Sequence, residues 1–236
     1  MALYLIIMGV QGAGKGTQAA FVKEAYGIPH ISTGDLFRAM RTREDELARR
    51  VQSIMESGHL VPDDVTNEVL QDRLEQPDAA NGVILDGYPR NVAQAEWLEN
   101  YLAQRGEQLT ATLLLDLDLF TAFKRAFGRV KSPATGETYN LYFQNGDIEW
   151  GFVEHPDKAF PPRIEAKLKS TDETLTRRAD DHAGGVVQRI DTYLETTRPL
   201  IDHYEAKGLL KTVDADQPIQ SVNAAIRAAI DSVKVQ

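Results

Sequence analysis

A glycine-rich segment close to the N-terminus has the residue types and spacing of a phosphate-binding loop. It reads Gly9-Val-Gln-Gly12-Ala-Gly14-Lys15-Gly16-Thr17 and stands between an apolar run and a helical pattern. Glycines allow backbone conformations that turn several N–H groups inward, and a helix N-terminus adds partial positive charge. The Lys15 side chain would reach the β- and γ-phosphates as a mobile cation. The pattern departs from the common Walker A form, because Gly16 separates the lysine from the Thr17 hydroxyl.

Short apolar strands that alternate with helices would position this loop. Leu3 to Met8 predicts a buried strand, and Lys15 to Tyr26 predicts the helix that follows the loop. The alternation continues and indicates an α/β fold, a three-layer α/β/α P-loop core with a five-stranded parallel sheet. Further strands are predicted at 28–31, 83–86, 111–117 and 210–213, and helices at 35–41, 44–56, 63–75, 91–104, 119–127, 186–207 (bent near Pro199) and 218–233.

The segment 128–178 interrupts this alternation and is too long for an ordinary loop. Prolines and glycines break any long helix within it. Its aromatic residues, among them Tyr139, Phe143 and Trp150, are numerous enough to form a small core. The segment therefore predicts a small β-rich subdomain of the lid or ligand-binding type.

Composition and charge exclude several classes of protein. A chain of 236 residues fits one large domain with small inserts. With 26 Lys and Arg against 35 Asp and Glu, the net charge of −9 argues against nucleic-acid or membrane partners. The absence of cysteine excludes disulfides, thiolate zinc sites and cysteine nucleophiles, and favours a reducing cytoplasm. The apolar N-terminal run is too short to span a bilayer, which favours a strand over a signal.

Several motifs in the same order resemble those of the adenylate kinase family of nucleoside monophosphate kinases, in its long-lid form. They are Gly9 to Gln18, Ile31-Ser-Thr-Gly-Asp-Leu-Phe-Arg38, Asp86-Gly-Tyr-Pro-Arg90 with Gln94, Gly128-Arg129, Arg178-Ala-Asp-Asp181, Arg189 and Val213-Asp214-Ala215. The resemblance covers nearly the whole chain. It implies reversible transfer of a phosphoryl group from ATP to AMP, which gives two ADP. It also implies a monomer that uses Mg²⁺ held by nucleotide phosphates and water, without a direct protein ligand.

The resemblance assigns a role to individual residues. Asp86 would orient magnesium through water, and Asp180 and Asp181 would pair with arginines at a hinge. The residues that would contact ATP are Gly12, Ala13, Gly14, Lys15, Gly16, Thr17, Arg125, Arg129, Thr138, Tyr139 and Gln217. Those that would contact AMP are Thr33, Arg38, His59, Leu60, Val61, Gly87, Tyr88, Pro89, Arg90, Gln94, Arg178 and Arg189. The catalytic set would be Lys15, Asp86, Arg90, Arg125, Arg129, Arg178 and Arg189.

The same resemblance implies three parts: a core of 1–31, 62–127 and 179–236, a monophosphate-binding insert at 32–61, and a lid at 128–178. Val130 stands where many relatives have a second arginine, and Arg177 partly compensates for that charge in this interpretation. Ser132 and Thr135 stand at the first pair of zinc-ligand positions of many bacterial lids. We therefore expect a lid without zinc, held by hydrogen bonds and aromatic packing.

Two alternatives remain open at this point. One is a kinase with a different base preference, either a GTP:AMP or a pyrimidine monophosphate kinase. Thr33, Gln94 and the long lid favour AMP as the acceptor, whereas the identity of the donor is weakly encoded. The other is a catalytically silent nucleotide-binding regulator, against which Lys15, Asp86 and Arg90 argue.

Overall fold

The computed structural model describes residues 2–57, 61–143, 146–154, 162–178 and 180–234. The chain divides into two compact units, residues 1–117 with 192–236, and residues 118–191. The division into a core, a monophosphate-binding insert and a lid concerns ligand binding and stays a prediction.

The elements follow the predicted alternation of strands and helices. The strands are β1 (Leu3–Gly9), β2 (His30–Ser32), β3 (Gly82–Asp86), β4 (Ala111–Asp116), β5 (Arg129–Lys131), β6 (Thr138–Asn140), β7 (Ile148–Val153), β8 (Arg163–Leu168) and β9 (Leu210–Asp214). The helices are α1 (Lys15–Tyr26), α2 (Thr33–Met40), α3 (Glu46–Glu56), α4 (Asp63–Leu74), α5 (Val92–Gln104), α6 (Leu119–Phe127), α7 (Ala183–Thr192), α8 (Arg198–Ala206) and α9 (Ile219–Lys234). In the part of the chain that the structure describes, no helix is long and apolar enough to cross a membrane.

A parallel sheet in the order β2-β3-β1-β4-β9 forms the centre of the first unit, which confirms the predicted five-stranded fold. Every residue of β1 is buried, as expected for an apolar strand of a sheet covered on both faces. Ile7 of β1 pairs with Asp86 of β3, and Ser32 of β2 pairs with the same aspartate. The carboxyl ends of β1, β2 and β3 therefore meet at one edge, where open α/β sheets bind ligands.

Two apolar clusters hold the first unit together. The larger lies between the sheet and helices α4, α5 and α8, and includes the fully buried Leu85, Leu98 and Leu200. A smaller one joins α2, α3 and α4 through Met40, Val51 and related residues. Helices α2 and α3 therefore have a core of their own beside the carboxyl end of β2.

The helix predicted over 186–207 is divided in two in the structure. A π-helical segment, Tyr193–Thr197, separates α7 from α8. The Arg198 N–H donates to the Tyr193 carbonyl, five residues back. Pro199 stands in the first turn of α8 and has no N–H to donate. In a regular α-helix the ring of a proline would clash with the carbonyl group four residues earlier. Widening to π geometry avoids that clash, so the predicted irregularity lies just before the proline.

The second unit contains the predicted β-rich region. Two antiparallel pairs, β5 with β6 and β7 with β8, are joined to residues 174–176 through isolated bridges. Their shared core consists of Val130, Leu141, Ile148, Ala166, Leu168 and Leu175. An aromatic series packs beside it, in which Phe127, Tyr142, Trp150 and Phe152 follow one another at ring-centroid distances of 6.3, 5.8 and 6.0 Å.

Tyr26 links α1 to α9 through a hydrogen bond, and its ionisation should lower the stability of the first unit at alkaline pH. Its hydroxyl donates to Asp231 Oδ1 at 2.9 Å, and burial together with this bond raises the pKa of Tyr26 to about 12. In the unfolded chain the tyrosine ionises near pH 10.0. The contribution of the neutral Tyr26 hydroxyl to the free energy of unfolding is therefore complete below that pH and is lost as the pH rises toward 12. We expect Tyr26→Phe to be about 1 kcal/mol less stable at pH 8. Its free energy of unfolding, measured by urea titration, should fall less steeply between pH 10 and 12 than that of the wild type. Equal slopes would contradict this assignment.

Candidate active site

The phosphate loop connects β1 to α1, and Gly9 and Gly14 occupy positions in it that other residues fill poorly. Gly9 has φ of 146°, and a Cβ there would lie 2.6 Å from the Leu115 carbonyl oxygen of β4. Gly14 has φ of 90° and precedes the first residue of α1. These conformations bend the chain tightly over the end of the sheet and leave the N-terminus of α1 pointing into the loop.

The Lys15 ammonium group lies over this loop. It donates to the carbonyl oxygens of Gly9 at 2.8 Å and Val10 at 3.2 Å. Both contacts are to neutral carbonyls, which an anionic phosphate oxygen can replace with a stronger, charge-assisted bond. A Cβ on Gly16 would meet open space, so packing does not require the glycine that separates Lys15 from Thr17.

Asp86 ends β3 beside the phosphate loop, as the strand prediction requires. Its Oδ2 lies 3.4 Å from Nε2 of His30, the first residue of the neighbouring β2. The carboxylate is partly exposed at the ligand-binding edge of the sheet. No cluster of three or more His, Cys, Asp or Glu side chains that could hold a metal occurs among the described residues.

Thr33, Gly87 and Arg90 come together at the same edge, although more than fifty residues separate the first from the others. The Thr33 hydroxyl donates to the Gly87 carbonyl at 3.0 Å, and Arg90 Nε donates to the same oxygen at 3.1 Å. Arg90 Nη2 lies 3.3 Å from Thr33 Oγ1. Gly87 has φ of 79°, and a Cβ there would lie 2.8 Å from Thr33 Oγ1. A glycine is therefore required for this close approach.

Gln94 is buried and both ends of its amide are occupied. Its Oε1 accepts from the Arg90 backbone N–H at 2.8 Å, and its Nε2 donates to Asp63 Oδ1 at 2.6 Å. Asn91, the N-cap of α5, also donates to Asp63, through its side-chain amide. Asp63 was not predicted from the sequence, because it lies far from Gln94 along the chain and no local pattern indicates their contact.

Tyr88 and Pro89 lie between Gly87 and Arg90 and are joined by a cis peptide bond. The Tyr88 side chain is buried in the core of the first unit, and its hydroxyl donates to Asn67 Oδ1 at 2.6 Å. Burial raises the pKa of Tyr88 far above its ordinary value, so the phenol stays neutral. Only the backbone of this residue is therefore available to a ligand.

The remaining residues predicted to bind AMP in the first unit lie on or near α2 and α3. The exposed Arg38 forms an ion pair with Asp35, and the hydrogen bond from this arginine lowers the pKa of the Asp35 carboxyl. Val61 packs at the margin of the α2–α4 cluster. His59 and Leu60 lie outside the described residues.

In the first unit, Gln217 follows β9 and donates to Asp214 Oδ2 at 2.9 Å. This contact places Gln217 just beyond the carboxyl end of an edge strand of the sheet.

In the second unit, two of the predicted arginines share one buried carboxylate. Arg129 donates to both oxygens of Asp181, at 2.7 and 2.8 Å, and Arg189 Nη2 contacts Oδ1 at 3.0 Å. Arg189 also pairs with Asp180. Asp181 has no exposed surface, so its charge is balanced within the unit. The predicted pairing of hinge carboxylates with arginines is thus present.

Four cationic side chains line a cavity of about 160 Å³ in the second unit. The cavity is bounded by Arg129, Val130, Lys131, Thr138, Thr176, Arg177 and Arg178. Arg177 donates to the carbonyl oxygens of Phe127 and Asp181 and lies over the Phe127 ring, so much of its hydrogen-bonding capacity is used within the second unit. Despite the net charge of −9, this part of the acidic chain is locally positive.

Arg125 and Tyr139 lie elsewhere in this unit. The guanidinium of Arg125 lies 5.9 Å from the Phe143 ring centroid, and its carbonyl accepts from Asn140. Tyr139 donates to Glu137 Oε2 at 2.8 Å. An aromatic ring beside a guanidinium provides a flat surface of the kind that a nucleobase stacks on.

Hydrogen bonds hold the turn at Ser132 and Thr135. Ser132 Oγ donates to Glu173 Oε1 at 2.8 Å and accepts from the Thr135 N–H at 3.0 Å. The same Glu173 oxygen accepts from the Ala134 N–H at 3.0 Å. Glu173 was not predicted from the sequence, and its two hydrogen bonds hold this turn in the structure.

Gly184 and Gly185 differ in the space around them, which predicts opposite effects of alanine. A Cβ on Gly185 would lie 2.5 Å from the Asp180 carbonyl oxygen, whereas one on Gly184 meets nothing closer than 3.6 Å. We expect Gly185→Ala to destabilise the second unit by about 1–3 kcal/mol, because backbone has to move. Gly184→Ala should stabilise α7 by up to about 1 kcal/mol. Thermal unfolding followed by circular dichroism compares the pair, and equal midpoints would refute the distinction.

The fold and the site define a class of protein: a P-loop α/β enzyme with a cluster of Thr33, Gly87 and Arg90 at the same sheet edge as its phosphate loop. A sequence model of the family described as Adenylate kinase matches residues 7–209. The chain is 42% identical to an adenylate kinase of Shouchella clausii over 96% of its own length and 97% of that protein. It is 41% identical to an adenylate kinase of Thermotoga neapolitana, over 96% of each chain. The chain belongs to the adenylate kinase family, and it is a nucleotide-binding phosphotransferase.

Proposed function

We propose that the protein transfers the γ-phosphoryl group of ATP to AMP, reversibly and with Mg²⁺, to give two molecules of ADP. The observation that carries this proposal is the position of two groups suited to phosphate at one sheet edge. The phosphate loop with Lys15 follows β1, and the Thr33–Gly87–Arg90 cluster follows the adjacent β2 and β3. Two anionic substrates that react with each other need two such sites side by side.

The donor would bind along the phosphate loop. The N–H groups of Gly12, Ala13, Gly14, Gly16 and Thr17 would surround the β-phosphate, and Lys15 would leave its carbonyl partners for the phosphates. Arg125, Arg129, Thr138, Tyr139 and Gln217 complete the proposed donor set. Gln217 lies just beyond β9, a position from which its backbone would contact the donor base.

The acceptor would bind at the Thr33–Gly87–Arg90 cluster. A planar guanidinium suits a tetrahedral phosphate, so Arg90 would exchange its contact with the Gly87 carbonyl for the AMP phosphate. Arg38 would leave Asp35 in the same way. Gln94 already holds the Arg90 backbone, so reading adenine would require it to share the amide contact with Asp63. Val61, Tyr88 and Pro89, with His59 and Leu60, complete the proposed acceptor set.

The reaction needs charge neutralisation more than proton transfer. The nucleophile is an oxygen of the acceptor phosphate, which is already anionic, so no side chain has to remove a proton. Lys15 and Arg90 would position the two substrates, and Arg129, Arg178 and Arg189 would neutralise the transferring group. The pairing of Arg129 and Arg189 with Asp181 keeps these cations ordered before substrate binds.

The residues around Asp86 fit magnesium held by nucleotide phosphates. Asp86 offers a partly exposed carboxylate at the sheet edge and would orient water molecules of the ion. The ion would supply positive charge to the phosphates. The proposal also includes a lid at 128–178 that excludes water, an insert at 32–61 that holds AMP, and a zinc-free monomer that works in the cytoplasm.

A steady-state assay with crossed substrates tests the proposal. ATP and GTP would serve as donors, and AMP, GMP, CMP and UMP as acceptors, each with and without magnesium. We expect fast, magnesium-dependent ADP formation with ATP and AMP only. Preference for another pair would refute the proposed substrates, and nucleotide binding without transfer by any pair would refute catalysis.

A further inference from the structure

The face of β5 that carries charge is separated from the face that forms the core of the second unit. Side chains alternate along a strand, so Arg129 and Lys131 point to one side and Val130 to the other. Val130 has no exposed surface and packs with Leu141 and Leu175. The cations of β5 are therefore directed away from the apolar core.

The neighbouring strands add polar groups around Lys131. Lys131 pairs with Thr138 of β6 on one side and with Thr176 through a β-bridge on the other. These three residues line the cavity of about 160 Å³ together with Arg129, Arg177 and Arg178. The lining combines cations with hydroxyl groups and includes no acidic residue, a composition that suits a phosphate group.

The cations in this cavity differ in how far their hydrogen-bond donors are already occupied. Arg129 is paired with the buried carboxylate of Asp181, and Arg177 is bonded to two carbonyl groups. In contrast, no carboxylate of the described residues lies within ion-pair distance of the Lys131 ammonium group, which is exposed. The Lys131 side chain extends along the β5–β6 turn, where a Cβ on Gly136 would lie 3.7 Å from Lys131 Cε. An ammonium group in this setting can bind an anion without first breaking an ion pair.

We propose that Lys131 binds the phosphate chain of the donor nucleotide and lowers its KM, a role that rests on the proposed function. The ammonium group would contribute through charge, with the hydroxyls of Thr138 and Thr176 beside it. The cavity is small for a nucleoside, which favours the phosphates over the base as its occupant.

Steady-state kinetics of Lys131→Gln test this role. We expect the KM for ATP to rise about fivefold, because one partly exposed charge-assisted contact is lost. The KM for AMP should stay unchanged. Lys131→Arg should restore the KM for ATP to within about twofold. The dependence of kcat/KM for ATP on salt concentration should be shallower in Lys131→Gln than in the wild type.

Lys167→Gln is the matched control, because Lys167 is an exposed lysine of the same unit that is paired with Asp172. It should leave both KM values unchanged. An unchanged KM for ATP in Lys131→Gln would overturn the inference, and so would an equal rise in Lys167→Gln, which would indicate a general effect of charge.

Direct measurements of ligand binding distinguish a failure of this inference from a failure of the proposed function. Calorimetric titration of the full chain with ATP and with inorganic tripolyphosphate should show weaker binding of both to Lys131→Gln. If the wild type transferred no phosphoryl group but Lys131→Gln still weakened both ligands, the inference would stand and the proposed function would fall. Unchanged binding of both ligands would overturn the inference whatever the activity.

Discussion

Lys15→Met is expected to lower kcat by about 10²–10³-fold, the cost of losing one charged group that stabilises a transition state. The Lys15 ammonium group now contacts two neutral carbonyls of the phosphate loop and would transfer to the phosphates when ATP binds. Methionine has similar length and no charge. The measurement is the steady-state rate of ADP formation at saturating ATP and AMP.

Lys23→Met is the matched control for this substitution. Lys23 is an exposed lysine in the last turn of α1, away from the phosphate loop, so its loss should leave kcat within about twofold. Thermal unfolding of both variants would show whether each protein is folded. Near-wild-type turnover of a folded Lys15→Met protein would contradict the assignment of the phosphate loop.

Arg90→Met is expected to have the second-largest effect and to act on the acceptor alone. We expect kcat/KM for AMP to fall about 10²–10³-fold, because a charge-assisted pair of bonds to the AMP phosphate is lost. The KM for ATP should change less than twofold. Arg90→Lys keeps the charge but not the planar geometry. Its kcat/KM for AMP should therefore lie between those of the wild type and Arg90→Met.

Arg105→Met provides the control, since Arg105 is an exposed arginine beyond α5 whose side chain contacts Tyr101. Its kinetic constants should match the wild type. If Arg90→Met instead raised the KM for ATP and left that for AMP unchanged, the acceptor site would be placed wrongly.

The sequence predicted the sheet and the glycine-rich turn after its first strand well, because those features depend on local patterns. A fully apolar β1, a glycine-rich turn and the periodic α1 each follow from neighbouring residues. Element ends depend on hydrogen bonds to partners distant in sequence. The second strand was predicted at 28–31 and lies at His30–Ser32, where it pairs with β3.

The contacts within the site were harder to predict, since they join residues far apart in the chain. No sequence pattern indicated that Gln94 would be held by Asp63 or that Glu173 would bond to Ser132. Arg177 was expected to supply lid charge. The structure adds that its guanidinium is bonded to two neutral carbonyls, and the expected role stays a prediction. Lys131 became a candidate only when strand pairing placed it beside Thr138 and Thr176.

The fate of the γ-phosphate tests the central claim most directly. ATP labelled in its γ-phosphate would be incubated with AMP, magnesium and the purified protein, and the labelled products separated. We expect the label in the β-phosphate of ADP, with two ADP formed for each AMP consumed and little labelled inorganic phosphate. Label recovered as inorganic phosphate, or no label in ADP at any time of the reaction, would contradict direct transfer between the two nucleotides.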